Sequence, residues 1–499
     1  MLHKQKMKVT LLCGISLSLS LISGCGAVQV PKVAIIGGGI GGTSTAYFLR
    51  QLFGAGKVDI DIYEARKIGG RLATVDVAGR NYETGGSIIH PRNKYMVSFV
   101  KSFGLKPRES AKGSLMGLWD GSKFVFEESS WEAITFIKLL WRYGYGTFKL
   151  KSYIDDMLSK FESIYTLQNK GDAFWTVSEL LKAMNPEFDS DRRIKTGMGF
   201  KKLGFSDQMV DELVAATIRV NYGQDLMVHK FVGSVSVAGA SGDLWAVDGG
   251  NFRVAEKLLE ASDAQLVRDR VSKVSSANDG KLIVTRQGTT IENDNSDLSR
   301  TYDIVVLAAP LQTNSDSSID LSEYRDKGWA GPYHHTVSTV LQGKLNHSFF
   351  GYSEKESMPD EILSTAAGLF FNSVSRIQPV DYNKNDRASD VWKVFSPVPL
   401  SDSELDLLFI QYNKNSVKVN DWLAYPHYAR LPTSDNFRIH RNFYYLNAIE
   451  WAASAMEMSV IAAKNIALLA HKGLYGEPVR AARHSKMIHG LEGKPFDEL

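Results

Sequence analysis

Residues 33–64 constrain the fold more than any other stretch. The segment "VAIIGGGIGGTSTAYFLRQLFGAGKVDIDIYE" places an apolar run, Val33 to Ile36, directly before Gly37, Gly39 and Gly42. A short apolar, β-branched run that ends in glycine reads as a buried parallel strand. The glycines follow G-x-G-x-x-G spacing. Gly37 permits a tight turn, Gly39 lets a pyrophosphate approach the backbone, and Gly42 lets the following helix pack closely on the strand. Thr43 to Phe53 has helical composition. A helix here aims free N–H groups and the positive end of its dipole at phosphate. Val58 to Glu64 reads as the second strand, and Glu64 stands about 20 positions past the glycines, where a carboxylate accepts from ribose hydroxyls. The expected fold class is therefore α/β, with a doubly wound dinucleotide-binding domain.

Further segments extend this unit. "IGGRLAT" (Ile68 to Thr74) puts Gly70 and Arg71 just past the ribose position, and "YETGGSIIHP" (Tyr82 to Pro91) is a second glycine pair containing Gly86. Gly-Gly permits close backbone approach, and Arg71 is suited to pair with a pyrophosphate. "LWAVDGGNFRVAEKLLE" reads as a glycine turn into a helix, "LVRDRVSKV" with "KLIVTRQ" as a hairpin, and "YDIVVLAAPL" as a buried parallel strand. "FYYLNAIEWAASAMEMSVIAAKNIALLA" (Phe443 to Ala470) reads as strand, turn and apolar helix. This order resembles the flavin amine-oxidase-like superfamily, whose cofactor is FAD. The resemblance implies that Val271 contacts the adenine through its backbone, and that Glu450 lies near the pyrophosphate or ribityl chain. It also implies that the helix from about Ala455, which carries Met458, points its N-terminus at the flavin N1–C2 edge. Ser87, Ile88 and His90 are then candidates beside the flavin face, although His90 before Pro91 reads equally well as a turn histidine.

Composition excludes several function classes. Of 499 residues, 58 are Lys or Arg and 55 Asp or Glu, so the net charge is only +3. No basic stripe interleaved with aromatics is present, which argues against a nucleic-acid partner. The two cysteines, Cys13 and Cys25, both fall in "MLHKQKMKVTLLCGISLSLSLISGCGAVQV". That segment has the basic start, apolar middle and small-residue end of a secretory signal peptide, expected to cover residues 1–26. A retained anchor is the other reading, and "ISGC" resembles a bacterial lipoprotein cleavage box with Cys25 lipidated. A mature chain without cysteine has no disulfide framework, thiol nucleophile, cysteine-ligated metal or cysteinyl-flavin bond. No later run is long enough to span a bilayer, so the mature chain is expected to be soluble or peripheral to a membrane. Asn346-His347-Ser348 is a candidate glycosylation sequon, and the terminal "FDEL" is a weak match to an ER-retention tail. His334 and His335 are adjacent on a strand pattern and so point to opposite faces; no metal is expected.

Residues 92–230 read as largely helical. The aromatics of Trp131 to Tyr165 fit either a helical core or the wall of a long apolar pocket. The pieces are expected to assemble from residues 31–110, 236–312 and 436–475 as a discontinuous cofactor domain. Residues 111–235 and 313–435 form an inserted, mostly helical α+β substrate domain, and 476–499 a tail.

"GGGIGGTSTAYFLR", "YETGGSIIHP", "FVFEESSWEAITFIKLLWRYG", "IRVNYGQ", "LWAVDGGN", "WLAYPHY" and "YYLNAIEWAASAMEMS" together resemble the prenylcysteine oxidase family from about residue 32 to about residue 470. The resemblance implies an FAD thioether oxidase of the secretory pathway, most often lysosomal. Its substrate is S-farnesyl- or S-geranylgeranyl-cysteine, and O2 is its acceptor; it has no nucleic-acid or predicted protein partner. Arg219 and Asn221 of "IRVNYGQ" and Tyr425 and His427 of "WLAYPHY" are candidate substrate contacts. Another flavin oxidase, of amine-oxidase or desaturase type, and a lipid-binding flavoprotein without turnover are the rival readings. ER lumen, secretion or a lipid anchor are the alternative locations.

Overall fold

The computed structural model describes residues 30–109, 114–239, 244–288, 298–313, 319–328, 331–387 and 389–476. The expected signal segment with Cys13 and Cys25, and the tail from 477 onward, lie outside the described residues.

The first strand is Lys32–Ile36 and the helix after the glycines is Ile40–Phe53. The strand pairs in parallel with Asp59–Tyr63 on one side and Ile304–Leu307 on the other. Gln265–Val267 and Phe443–Tyr445 extend this parallel sheet at its two sides, and Arg438–His440 closes it antiparallel. Neighbours in the sheet thus come from four distant parts of the chain, so the dinucleotide fold is discontinuous. Val33, Ala34 and Ile35 are fully buried, as are Ile304 to Leu307. Two-sided burial is why these strands carry unbroken apolar runs rather than alternation.

The glycine helix packs against two others, Phe252–Ser262 and Met456–Tyr475. Thr43 and Thr45 on its buried face donate to the Gly39 and Gly41 carbonyls at 3.0 and 2.8 Å, so burial leaves neither hydroxyl unsatisfied. Val271–Ser276 and Leu282–Arg286 form the expected hairpin, joined by Ser299–Tyr302 as a third strand.

The second unit departs in part from its sequence expectation. Helices run from Glu132 to Ala238, but Met116–Trp119 and Phe124–Glu127 interrupt the region read as helical. They pair antiparallel and join an eight-stranded sheet. Towards its other side the long strand Tyr333–Leu345 pairs antiparallel with Val391–Ser396, Phe409–Tyr412 and Lys418–Pro426. These strands come from separated short segments, whose pairing no local periodicity announces. The apolar and aromatic residues of Trp131–Tyr165 also split. Leu150, Ile154, Met157 and Phe161 enter the core, whereas Trp131, Ile134, Ile137 and Trp141 face solvent. The first half of that stretch is therefore neither core nor the wall of an enclosed pocket.

Among the described residues, no helix is long and apolar enough to cross a membrane, and no three His, Cys, Asp or Glu side chains converge as metal ligands.

Candidate functional site

Three glycine segments lie on one another at the end of the parallel sheet. Gly37 has φ +114°, and a Cβ there would stand 2.7 Å from the Ala308 carbonyl oxygen. A Cβ on Gly42 would stand 1.9 Å from the Gly37 oxygen, so the helix can start this close only without one. Gly69 N–H donates to the Gly38 carbonyl at 3.0 Å, and a Cβ on Gly70 would sit 3.2 Å from Gly39 Cα. Gly86 N–H donates to the Arg71 carbonyl at 3.1 Å, setting the third segment on the second. Asn251 braces the stack: its N–H donates to Glu83 at 2.8 Å and its Nδ2 to the Gly86 carbonyl at 3.0 Å.

Glu64 ends the second strand. One carboxylate oxygen accepts from Gly38 N–H at 2.8 Å and the other from Arg66 N–H at 2.6 Å, which fixes the carboxylate beside the glycine turn. Its own N–H donates to Val267 O at 3.0 Å, so the hairpin beginning at the buried Val271 starts four residues from the Glu64 contact.

Gly39 differs from its neighbours. Its φ is −74°, open to any residue, and a Cβ there would meet nothing closer than 3.8 Å. The space before the helix is thus kept clear by the absence of a side chain, beside a helix start whose first N–H groups have no intrahelical partner. This open cradle, bounded by Glu64, fits the adenosine and pyrophosphate of a dinucleotide.

Arg71 crosses from the glycine stack to the C-terminal segment. Its guanidinium pairs with Glu450 and with the Ala424 carbonyl. The second contact depends on a β-bulge. His334 pairs with Tyr425 and His335 with Leu423, so Ala424 is the extra residue whose carbonyl is turned inward. Glu450 is fully buried and also accepts from Tyr333 Oη at 3.1 Å and Asn447 Nδ2 at 2.7 Å. Burial opposes the Arg71 charge, but Glu450 outweighs it and raises the guanidinium pKa. Burial, with Glu450 beside it, pushes the Tyr333 hydroxyl well above its ordinary value, so this phenol stays a neutral donor.

Behind Glu450 the helix Met456–Tyr475 begins without a side-chain cap. Met456 lies 3.8 Å from where a Gly86 Cβ would be, so the helix N-terminus abuts the third glycine segment. Met458 is buried in its first turn. Glu457 accepts from Tyr95 and Met96 N–H at 2.8 and 3.0 Å and from Tyr165 Oη at 2.8 Å. Burial pushes its carboxyl up to about 7.

The remaining candidates separate. Tyr425 stands at the bulge, its ring 5.1 Å from Tyr222 and edge-on. The His427 ring lies 5.2 Å from that of His334, and burial lowers both imidazoles, His334 to about 4. His335 faces the other way, its Nδ1 2.9 Å from Asp421. Arg219 is buried and donates to the Thr365 carbonyl, while Asn221 Nδ2 donates to Ser236 Oγ at 3.0 Å. Each side chain thus has at least one partner within the fold. His90 makes a turn: its N–H donates to Asn93 Oδ1 at 2.9 Å and its Nδ1 accepts from Arg92 N–H at 3.0 Å. Ser87 is half-buried and Ile88 exposed on the same segment. Sequence reasoning missed Tyr333, Asn447, Asn251 and the Ala424 carbonyl. Asn251 in "LWAVDGGN", Ala424 in "WLAYPHY" and Asn447 in "YYLNAIEW" stood in motifs already singled out; Tyr333 did not.

A family model described as prenylcysteine lyase matches residues 126–481, and one for an NAD(P)-binding Rossmann-like domain matches residues 35–103. Prenylcysteine oxidase 1 of Pongo abelii is 39% identical over 487 residues, covering 94% of this chain and 93% of that protein. A CLA-producing fatty acid isomerase from P. acnes has the same fold, with TM-score 0.57 at 14% identity over 87% of this chain and 97% of that one. Cyclohexylamine oxidase from Brevibacterium oxydans follows at TM-score 0.53 and 14% identity, covering 89% and 99%. With an open glycine cradle, a carboxylate at its rim and a match that runs nearly end to end, the chain belongs to the prenylcysteine lyase family, whose relatives include prenylcysteine oxidase 1.

Proposed function

We propose that the chain is an FAD-dependent oxidoreductase that cleaves S-prenyl-L-cysteine, farnesyl or geranylgeranyl. It does so by oxidising the carbon that joins sulfur to the prenyl chain. The observation that carries this reading is the 39% identity to prenylcysteine oxidase 1 over 94% of the chain. In the net reaction the thioether, water and O2 give free cysteine, a prenyl aldehyde and hydrogen peroxide. The C1–H and C–S bonds break, an aldehyde C=O forms, and two electrons pass to oxygen.

FAD bound in the cradle supplies the two-electron acceptance and the return of electrons to O2. The chain's own residues do the rest. Gly39 leaves room for the pyrophosphate, Gly70 lets the second glycine segment lie against it, and Glu64 presents its carboxylate at the ribose end. Arg71, neutralised by Glu450 and held by the Ala424 carbonyl, fixes the spacing between the glycine stack and the C-terminal segment. The uncapped N-terminus of Met456–Tyr475 offers a positive dipole end to an electron-rich ring edge. The carbon attacked is allylic and bears sulfur, so a developing positive charge is delocalised by the substrate itself. Little general-base help is needed, which agrees with a site where burial makes the His334 and His427 imidazoles poor proton acceptors and His90 is engaged in a turn. Tyr222 and Tyr425 supply apolar wall beside the bulge.

The test uses the purified, FAD-loaded chain. Under nitrogen, S-farnesylcysteine should bleach the flavin absorbance, and admitted air should restore it with aldehyde and peroxide formed. A yellow protein that stays oxidised with this substrate would overturn the reading.

For location we propose the secretory pathway, most often the lysosome, with a cleaved leader at residues 1–26. The sequon Asn346-His347-Ser348 supports it: it follows the long strand, and Asn346 Oδ1 accepts from Ser348 Oγ at 2.7 Å. A mass loss on treatment with a peptide N-glycosidase is expected. An unchanged mass with a lipidated Cys25 would favour a bacterial lipid anchor instead.

A further inference from the structure

The helix Glu132–Tyr143 is built the wrong way round for a soluble protein. At 100° per residue, Ala133, Ile134, Phe136, Ile137, Leu140 and Trp141 fall in one arc of about 160°. That arc faces solvent. Trp141 is 88% exposed, Ile137 63%, and Trp131 at the helix start 71%. Tyr143 is the helix's only buried residue. Just beyond the helix, Tyr145 is 79% exposed, and Phe148 continues the patch, packing edge-on against Phe136 at 5.5 Å.

The inward side explains why the apolar side points out. Arg142 donates to both carboxylate oxygens of Glu212 at 2.6 Å, and Tyr143 Oη donates to the same carboxylate at 2.9 Å. Thr135 Oγ1 accepts from Ser129 N–H at 2.8 Å, and Leu139 packs on the small cluster around Leu118 and Phe126. These polar anchors and one leucine fix the helix's rotation. Rolling the apolar arc inward would break the bidentate ion pair. Large contiguous apolar patches on a soluble chain mark a contact surface, not chance exposure.

Charge and residue type identify the occupant. From Trp131 to Lys151 the chain carries Lys138, Arg142, Lys149 and Lys151 against the single anion Glu132. Arg142 is neutralised by Glu212 and Lys151 by Asp155. Lys138 instead donates to the Glu127 carbonyl, and Lys149 stands 5.3 Å over the Phe205 ring, so in these contacts no carboxylate neutralises either. A convex arc of Ile, Leu and Phe, with Trp near both ends and lysine at its edge, is the pattern of a helix lying in the plane of a bilayer interface. There apolar side chains enter the acyl boundary, indole rings sit at headgroup level, and cations meet anionic lipid.

We propose that Glu132–Tyr143, with Tyr145 and Phe148, docks the folded protein on the surface of an anionic lipid bilayer without spanning it. The surface is argued independently of the substrate reading. Under that reading it would bring the enzyme to the phase where a prenyl chain partitions.

The test uses the full FAD-loaded chain with phosphatidylcholine vesicles, with and without phosphatidylserine. Wild type should co-sediment with the anionic vesicles, with blue-shifted tryptophan emission, and more weakly with the neutral ones. Ile137→Ser/Trp141→Ser should lower the partition coefficient by about tenfold or more, with unchanged flavin absorbance and melting temperature. Lys138→Glu/Lys149→Glu should weaken binding only to anionic vesicles. Wild type that stays in the supernatant with both vesicles would overturn the proposal. So would an Ile137→Ser/Trp141→Ser protein that binds as wild type does. A wild-type dimer in solution that the double substitution dissociates, without vesicle binding, would assign the face to a second copy instead.

Discussion

Two apolar helices of this chain meet opposite fates. Met456–Tyr475 is buried at every residue from Glu457 to Ala470, wedged against the glycine helix. Glu132–Tyr143 buries only its last residue and shows its aromatics to solvent. Their compositions do not foretell this. What separates them is the polar minority. Glu457 collects three donors on the inner side of its helix, whereas Arg142 ties Glu132–Tyr143 to Glu212 and turns the apolar arc away. Apolarity sets how much surface a helix can bury, and the few charged anchors decide which way it faces.

The sharpest way to break the buried side is at its longest-range contact. Arg71→Ala leaves Glu450 buried without its charge partner, and should cost about 3–5 kcal/mol in denaturant unfolding. A cost near zero would show that Glu450 is not held as described. Gly42→Ala comes next. Its Cβ would stand 1.9 Å from the Gly37 oxygen, and about 3 kcal/mol of destabilisation with loss of retained flavin is expected. A stable yellow variant would mean the helix can retreat.

Glu457 gives a pH-dependent test. Burial raises its carboxyl to about 7 in the folded state, above the ordinary 4.5. The folded state therefore binds the proton more tightly. Its stabilising contribution is fully present below pH about 4.5 and is lost as pH rises through about 7. Thermal melts of wild type should show this decline across that window, and Glu457→Gln should flatten it. An identical slope in both proteins would assign the pH response elsewhere. The smallest effect belongs to the exposed helix: Trp141→Ser should change unfolding free energy by no more than about 0.5 kcal/mol, because the side chain packs on little. A loss of several kcal/mol would show that the face is covered.

Legibility followed sequence distance. The strand, glycine turn, helix and Glu64 lie within 32 residues, and each was read from local pattern. The hairpin at Val271 and the strand-turn-helix ending the chain were equally local. Arg71 and Glu450 were both singled out, but 379 residues separate them and nothing in either motif names the other. The Ala424 carbonyl was invisible because it depends on a bulge between two strands, not on a side chain. The eight-stranded sheet escaped notice because its local hairpins are built from four-residue strands and are joined only across long gaps, as Met116–Trp119 is to Glu361–Ser364. The outward face of Glu132–Tyr143 was hidden for a different reason: periodicity reveals an amphipathic helix but not which side has a neighbour.

The central claim is that the glycine cradle exists to hold FAD for thioether oxidation, not merely to turn the chain. Gly39 separates the two, since its backbone suits alanine and its Cβ would clash with no protein atom, the nearest lying 3.8 Å away. The decisive measurement compares flavin content, apoprotein melting temperature and peroxide formed from S-farnesylcysteine in wild type and Gly39→Ala. The account predicts a variant that melts with the wild-type apoprotein, retains little flavin and forms no peroxide. A yellow Gly39→Ala protein that turns over at the wild-type rate would contradict it.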